Sequence, residues 1–83
     1  MYPKKIQGGD YLNVNKLRSF MALKADTQNV LADYLGITPQ RLSAKMNEKN
    51  GAEFTQSEIN LMKKRYELSA KEIDTIFFAK IVS

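Results

Sequence analysis

Polar and charged side chains recur between Thr38 and Asn47 at spacings that a helix would sort onto separate faces. With Leu42 directed inward and 100° per residue, the outward positions hold Gln40, Ser43, Ala44 and Asn47, and Arg41 and Lys45 lie on the other flank. An amide both donates and accepts hydrogen bonds, and a cation attracts phosphate. Polarity alone favours a solvated helix face, so the sequence pattern around this helix is needed to indicate whether the face binds a partner.

Catalytic and metal chemistry find little support in the composition. The chain has no Cys and no His, which excludes disulfides and thiolate metal sites and removes the commonest general base. Without His, serines such as Ser19, Ser43, Ser57 and Ser69 cannot form a catalytic triad. No acidic run has the spacing of a calcium loop. We therefore expect a protein that is not an enzyme and has no metal, no cofactor and no small-molecule substrate.

The length of the chain limits the number of domains, and its charge bears on the kind of partner. The chain has 83 residues, which predicts one domain over residues 13–83 behind a flexible or extended arm over residues 1–12 that contains Pro3 and Gly8-Gly9. The net charge is +4, and residues 1–24 hold the excess. This excess favours a polyanionic partner and solubility equally. No apolar run approaches about 20 residues and no signal-peptide pattern opens the chain, so we expect no membrane partner.

The periodicity of apolar residues predicts an all-α domain of five short helices. The first begins near Asn13 or Asn15 and ends near Lys24, and the second and third span about Gln28–Leu35 and Pro39–Asn47. The last two begin at capping boxes, Thr55-Gln56-Ser57-Glu58 and Ser69-Ala70-Lys71-Glu72. The basic run Lys63-Lys64-Arg65 fits the exposed face of the fourth helix, balanced by Glu58 and Glu67.

A tight turn between the second and third helices is the most specific pattern in the chain. Gly36 can end the second helix in a left-handed conformation, and Thr38 and Pro39 suit the first positions of the third. Ala32 is small where the third helix must pass close by, and Leu42 anchors that helix to the core.

These residues resemble the helix-turn-helix of the Cro and phage-repressor (XRE-type) family. The matching positions are Gln28, Leu31-Ala32, Leu35-Gly36-Ile37-Thr38 and Leu42-Ser43. Looser similarity to small phage regulators, with a fold like that of the lambda repressor, extends over residues 15–81. Many members of the family carry an apolar residue where Lys45 stands, and this chain places its apolar anchor at Met46.

The resemblance assigns expected roles to this region. Base contacts fall to Thr38, Pro39, Gln40, Ser43, Ala44 and Asn47, and phosphate contacts to Gln28, Arg41, Lys45 and Lys49. It implies a sequence-specific transcriptional regulator, a phage-type repressor that acts by occupying a double-stranded DNA operator as a homodimer. Its location would be the cytoplasm of a bacterial or phage-infected cell.

An alternative is a small protein-interaction module that binds and modulates a partner repressor. The predicted fifth helix buries Phe77, which turns Phe78 outward on the side of Val82. An outward Phe can belong to a dimer or partner surface, and core filling explains it equally well. A positive stripe joining Gln28, Arg41, Lys45 and the first helix would favour DNA over a partner protein.

Overall fold

Side-chain caps at the helix starts determine where the helices lie. The computed structural model describes residues 12–78, which form five α-helices and contain no strand: α1 (Val14–Leu23), α2 (Gln28–Leu35), α3 (Pro39–Met46), α4 (Gln56–Tyr66) and α5 (Ala70–Phe77). The caps are Asn13, Thr27, Thr38, Thr55 and Ser69, each accepting a hydrogen bond from a backbone N–H of the first turn. Both predicted capping boxes are formed. The all-helical fold is therefore confirmed.

The connection between α2 and α3 is short because Gly36 ends α2 sharply. Gly36 has φ 76° and ψ 28°, in the left-handed region, and its N–H donates to the carbonyls of Ala32 and Asp33. The N–H of Ile37 also donates to the carbonyl of Ala32, at 3.0 Å. Ile37 then packs half-buried against the core, and Thr38 caps α3. Only three residues thus separate the end of α2 from the start of α3, and the two helices pack against each other.

Substituting Gly36 by Val should lower the free energy of unfolding by at least ~1 kcal/mol, since a β-branched residue is strained at positive φ. No atom lies within 4 Å of the position that a Cβ would take, so backbone strain is the whole expected cost. Gly36→Asn is the matched control, because Asn tolerates this conformation. In thermal unfolding the parent should be the most stable, the Gly36→Asn variant intermediate and the Gly36→Val variant the least stable. Overlapping curves would contradict the assignment.

One apolar core joins all five helices. Its largest fully buried side chains are Leu17, Leu31, Leu42, Met62 and Ile76, one from each helix. Leu12 is also buried, so the core includes one residue of the predicted arm. The rest of the predicted arm, residues 1–11, and residues 79–83, including Val82, lie outside the described residues. Within residues 12–78, no helix is both long and apolar enough to cross a membrane.

The segment after α3 turns sharply before α4 begins. Lys49–Gly51 form one turn of 3-10 helix, and Glu48, Asn50 and Gly51 all have positive φ. The N–H of Asn13 donates to the carbonyl of Ile76 at 2.7 Å, which attaches the start of α1 to α5. α3 itself packs against α2 and against the 3-10 turn that leads to α4.

Candidate nucleic-acid interface

The first turn of α3 presents two long polar side chains to solvent. Gln40 and Arg41 are both exposed, and neither side chain bonds to a described residue. Thr38 and Pro39 precede them, also exposed, and the Thr38 hydroxyl accepts the N–H of Arg41 at 3.1 Å. Among the described residues, the hydrogen-bonding groups of the Gln40 amide and the Arg41 guanidinium therefore have no partner.

Further along α3, the outward polar side chains are partly engaged in hydrogen bonds within the helix. Asn47 donates from Nδ2 to the Ser43 carbonyl at 3.0 Å and to the Ser43 hydroxyl at 3.4 Å. Ser43 and Ala44 are half-buried, whereas Asn47 is exposed. Asn47 thus folds back along its own helix, so it has to release or share this bond before it can reach a partner. Gln40, Ser43, Ala44 and Asn47 nevertheless share the side of α3 opposite Leu42, as the helical spacing predicts.

Lys45 does not lie where the sequence interpretation placed it. Its side chain is buried, with the residue 4% exposed. The ammonium donates to Glu58 Oε1 at 2.9 Å and to the carbonyl of Glu53 at 3.0 Å. A lysine held in this way cannot extend to a phosphate, so the predicted phosphate contact at Lys45 is wrong. The predicted positive stripe loses this charge as well, because Glu58 neutralises it.

Two signals in the sequence could have located Lys45 in the core. At 100° per residue it lies only about 60° from Leu42, between that residue and the flank. Many members of the family that this region resembles carry an apolar residue at this position, which indicates burial. The sequence does not indicate the ion-pair partner of Lys45, because the predicted position of Glu58 is the exposed face of α4. Glu58 is 8% exposed and faces α3.

The other two predicted phosphate contacts lie at the edges of the α2–α3 pair. Gln28 is the first residue of α2 and is half-buried, in a shallow cleft that Arg18 of α1 also lines. Lys49 is exposed in the 3-10 turn after α3. The cationic groups available beside α3 are therefore Arg41 and Lys49, with Arg18 across the Gln28 cleft.

No protein-family model, curated protein or solved structure gives a significant match to this chain. Each functional group is therefore assigned from its own position, exposure and bonding. The helix pair α2–α3 and the free side chains at the start of α3 form the most distinctive polar surface among residues 12–78.

Behind this surface, one carboxylate joins the α1–α2 loop to α4. Asp26, whose side chain is 4% exposed, accepts two hydrogen bonds from Arg65, both at 2.7 Å, and one from the Tyr66 hydroxyl at 2.6 Å. The Arg65 guanidinium also lies 4.8 Å from the ring centre of Tyr34 in α2. The expectation that Arg65 belongs to a solvated basic face is therefore wrong, while Lys63 and Lys64 are exposed as predicted.

The contacts of Asp26 with α4, and those of Glu58 with Lys45 and Thr55, shift the pKa values of the groups involved. The hydrogen bonds from Arg65 lower the pKa of Asp26 from 3.8 to about 2, against an opposing effect of burial and with help from Tyr66. Burial and the Asp26 charge raise the pKa of Tyr66. Burial alone would raise the pKa of Glu58, but the Thr55 N–H and the Lys45 ammonium outweigh it, so this pKa lies below 4.5. Both carboxylates are thus held in the ionised form.

Acid should therefore destabilise the fold in a defined range. Because the folded-state pKa of Asp26 is below its unfolded value of 3.8, its contribution is complete above that pH and is lost as the pH falls towards about 2. The lowered pKa of Glu58 acts in the same direction below 4.5. Denaturant unfolding at a series of pH values should show stability falling between these limits, with Asp26 contributing on the order of 1–2 kcal/mol after solvent screening. Constant stability over this range would contradict the assignment.

A separate apolar feature lies at the far end of α5. Phe78 is 49% exposed, which favours the outward alternative over core filling, while Phe77 is buried and meets Phe54 edge-on at 5.7 Å between ring centres. Phe78 lines a groove of about 180 Å³ together with Leu12, Glu48, Glu53 and Ile59, among others. Val82, the other residue predicted for this surface, lies outside the described residues.

Proposed function

We propose that this protein is a sequence-specific DNA-binding regulator, in which α2, the turn at Gly36 and α3 form a helix-turn-helix. The observation that carries the proposal is the division of α3 into two sides. Leu42, Lys45 and Met46 attach the helix to the domain, while Gln40 and Arg41 at its start are exposed and make no side-chain bond within residues 12–78. A recognition helix in the major groove contacts base edges with the residues near its N-terminus.

Each exposed group has a counterpart on a DNA duplex. The Gln40 amide matches the donor and acceptor of the adenine edge, and the half-buried Ala44 suits a thymine methyl group. Ser43 and Asn47 offer further polar contacts to bases, and Thr38 and Pro39 lie close enough to the helix start to approach the duplex. Arg41 and Lys49 are the proposed phosphate contacts, with Gln28 at the start of α2. Lys45 has no place in this set.

The proposed mode of action is repression by occupancy of an operator. Proteins with this motif commonly bind as symmetric dimers to two half-sites about one helical turn apart, and we propose the same arrangement here. The proposed setting is the cytoplasm of a bacterial or phage-infected cell, where such an operator would lie.

Substitutions at Gln40 and Arg41 should have opposite effects on specificity. Gln40→Ala should abolish the preference for one base pair in each half-site, a loss of roughly 1–3 kcal/mol of discrimination, with little change in non-specific affinity. Arg41→Ala should weaken binding to all sequences and flatten the salt dependence by about 0.9 in log–log slope. The measurement is selection of bound sequences from a random DNA pool, followed by titrations at several salt concentrations.

Lys71→Ala is the control for these two variants, since Lys71 is an exposed lysine of α5 and should affect neither property. Thermal unfolding of each variant checks that the fold is retained. If the folded parent protein enriches no sequence, alone or fused to a dimerising tag, DNA recognition is excluded.

A second candidate function is binding of a partner regulator. The exposed Phe78 beside its apolar groove favours this alternative, since an aromatic side chain at a surface groove can serve as a contact. In that case Phe78→Asp would abolish complex formation with the partner, and neither Gln40→Ala nor Arg41→Ala would alter a DNA preference. The same surface is the proposed contact between two copies, which sedimentation of the parent and Phe78→Asp proteins would report.

A further inference from the structure

An ion pair inside a domain of this size calls for an explanation other than stability. Lys45 is 4% exposed and Glu58 is 8% exposed, so both charged residues are almost completely shielded from solvent. Replacing such a pair by apolar residues of similar volume is often neutral or stabilising, because removing two charges from water offsets their attraction. Apolar or neutral residues in place of both Lys45 and Glu58 would therefore hold α3 to the core about as well as the ion pair does.

The ion pair adds hydrogen bonds of defined direction between α3 and the start of α4. The Lys45 ammonium is 2.9 Å from Glu58 Oε1 and 3.0 Å from the carbonyl oxygen of Glu53. The same Glu58 oxygen accepts the backbone N–H of Thr55 at 2.9 Å, and the Thr55 hydroxyl accepts the N–H of Glu58 at 3.1 Å. One carboxylate oxygen thus caps α4 and binds α3, so the position of Lys45 is set by the first turn of α4.

The other contacts of α3 with the core do not have this property. Leu42 and Met46 are apolar, and contacts between apolar side chains depend little on angle. A helix with its side chains is about 10–12 Å across, so a rotation of about 20° around its axis would move an outer side chain by about 2 Å. Hydrogen bonds to bases require donor–acceptor distances within a few tenths of an ångström. A directional contact therefore restricts the rotation of α3 more narrowly than non-directional apolar attraction does.

We infer that the buried Lys45–Glu58 pair sets the rotation of α3 about its own axis, which makes both residues positioning residues for sequence recognition by Gln40. This inference depends on the proposed DNA-binding function and adds to it. It assigns Lys45 an indirect part in specificity, in place of the direct phosphate contact that its buried position excludes.

The test is the double variant Lys45→Met with Glu58→Gln, which removes both charges together. Gln at position 58 retains an oxygen for the capping box, and Met preserves the length of the apolar stem. The double variant should unfold at nearly the same temperature as the parent. Its discrimination at the base pair read by Gln40 should fall from the roughly 5–150-fold of a bidentate contact to below about threefold. Non-specific affinity and the salt slope should not change, since neither residue contacts phosphate.

Ile76→Val is the control, because it removes a buried methyl group from α5 and leaves α3 untouched. It should lower the unfolding temperature and preserve discrimination, which separates an effect on specificity from a general loss of stability. Lys45→Leu with Glu58→Gln serves as an independent second replacement.

Every outcome of this experiment is informative. A folded double variant with the full discrimination of the parent would overturn the inference, because apolar packing would then suffice to orient α3. Failure of both double variants to fold would also overturn it, since the pair would then be required for folding itself. A folded parent that enriches no DNA sequence would instead overturn the proposed function, and this result comes from the parent alone before any variant is compared.

Discussion

Replacing Lys45 alone by Met should lower the free energy of unfolding by roughly 3–5 kcal/mol, the cost of leaving one member of a buried ion pair without its partner. Glu58 would stay behind α3 with its charge facing the apolar stem of Met, and only the Thr55 cap would remain to stabilise it. A domain of this size has little stability in reserve. The midpoint of thermal unfolding should therefore fall by at least about 12 °C.

Lys63→Met is the matched control for Lys45→Met. It makes the same chemical change at an exposed position of α4 and should alter stability by no more than about 0.5 kcal/mol. Urea unfolding followed by circular dichroism would give the free energies of both variants. Equal effects at the two positions would show that Lys45 is solvated, which would contradict the buried ion pair.

Asp26→Asn should be the second most damaging of these substitutions, lowering the free energy of unfolding by roughly 2–3 kcal/mol. Asn keeps the shape of Asp but has one oxygen and no charge, so it cannot accept the paired bonds from Arg65 together with the bond from Tyr66. The loss separates the α1–α2 loop from α4. Because the Arg65 side chain is 26% exposed, water compensates part of the lost charge pairing.

Asp33→Asn provides the comparison for Asp26→Asn, since Asp33 is exposed on α2 and should tolerate the change. The Asp26→Asn variant should also lose the part of the pH dependence that Asp26 contributes between about 4 and 2 and keep the part due to Glu58, whereas Asp33→Asn should unfold in acid like the parent. A steep acid transition that persists in Asp26→Asn would show that another carboxylate is responsible.

Local sequence signals predicted the helices well because each depends on residues close together in the chain. The caps at Thr27 and Thr38, the capping boxes and the left-handed Gly36 all act within four residues of the groups they bind. The α2 boundaries agree with the structure, and α3 ends one residue earlier than predicted, at Met46. Helical periodicity also predicted the outward position of Gln40 on α3, but it left open whether Phe78 is exposed or fills the core.

The contacts that hold these helices together were not predictable in the same way. Asp26 and Arg65 lie on different elements far apart in the chain, and nothing in the spacing of either indicates the other. Lys45 and Glu58 were each assigned to a surface because charged residues are rarely buried, and they are buried only as a pair. Such pairs depend on the packing of whole helices, which no local pattern contains. DNA recognition by Gln40 and its neighbours stays a prediction.

The bond from the Asn13 N–H to the Ile76 carbonyl has a consequence for how the domain opens. In many helical proteins the terminal segments fray independently, and their amide protons exchange with solvent long before the core unfolds. Here α1 and α5 are attached to each other, at opposite ends of the described chain, and both contribute to the same core. Neither helix can detach without exposing the buried face of the other. We therefore expect the two helices to open together, so that the amide of Asn13 exchanges more slowly than a fraying terminal amide would.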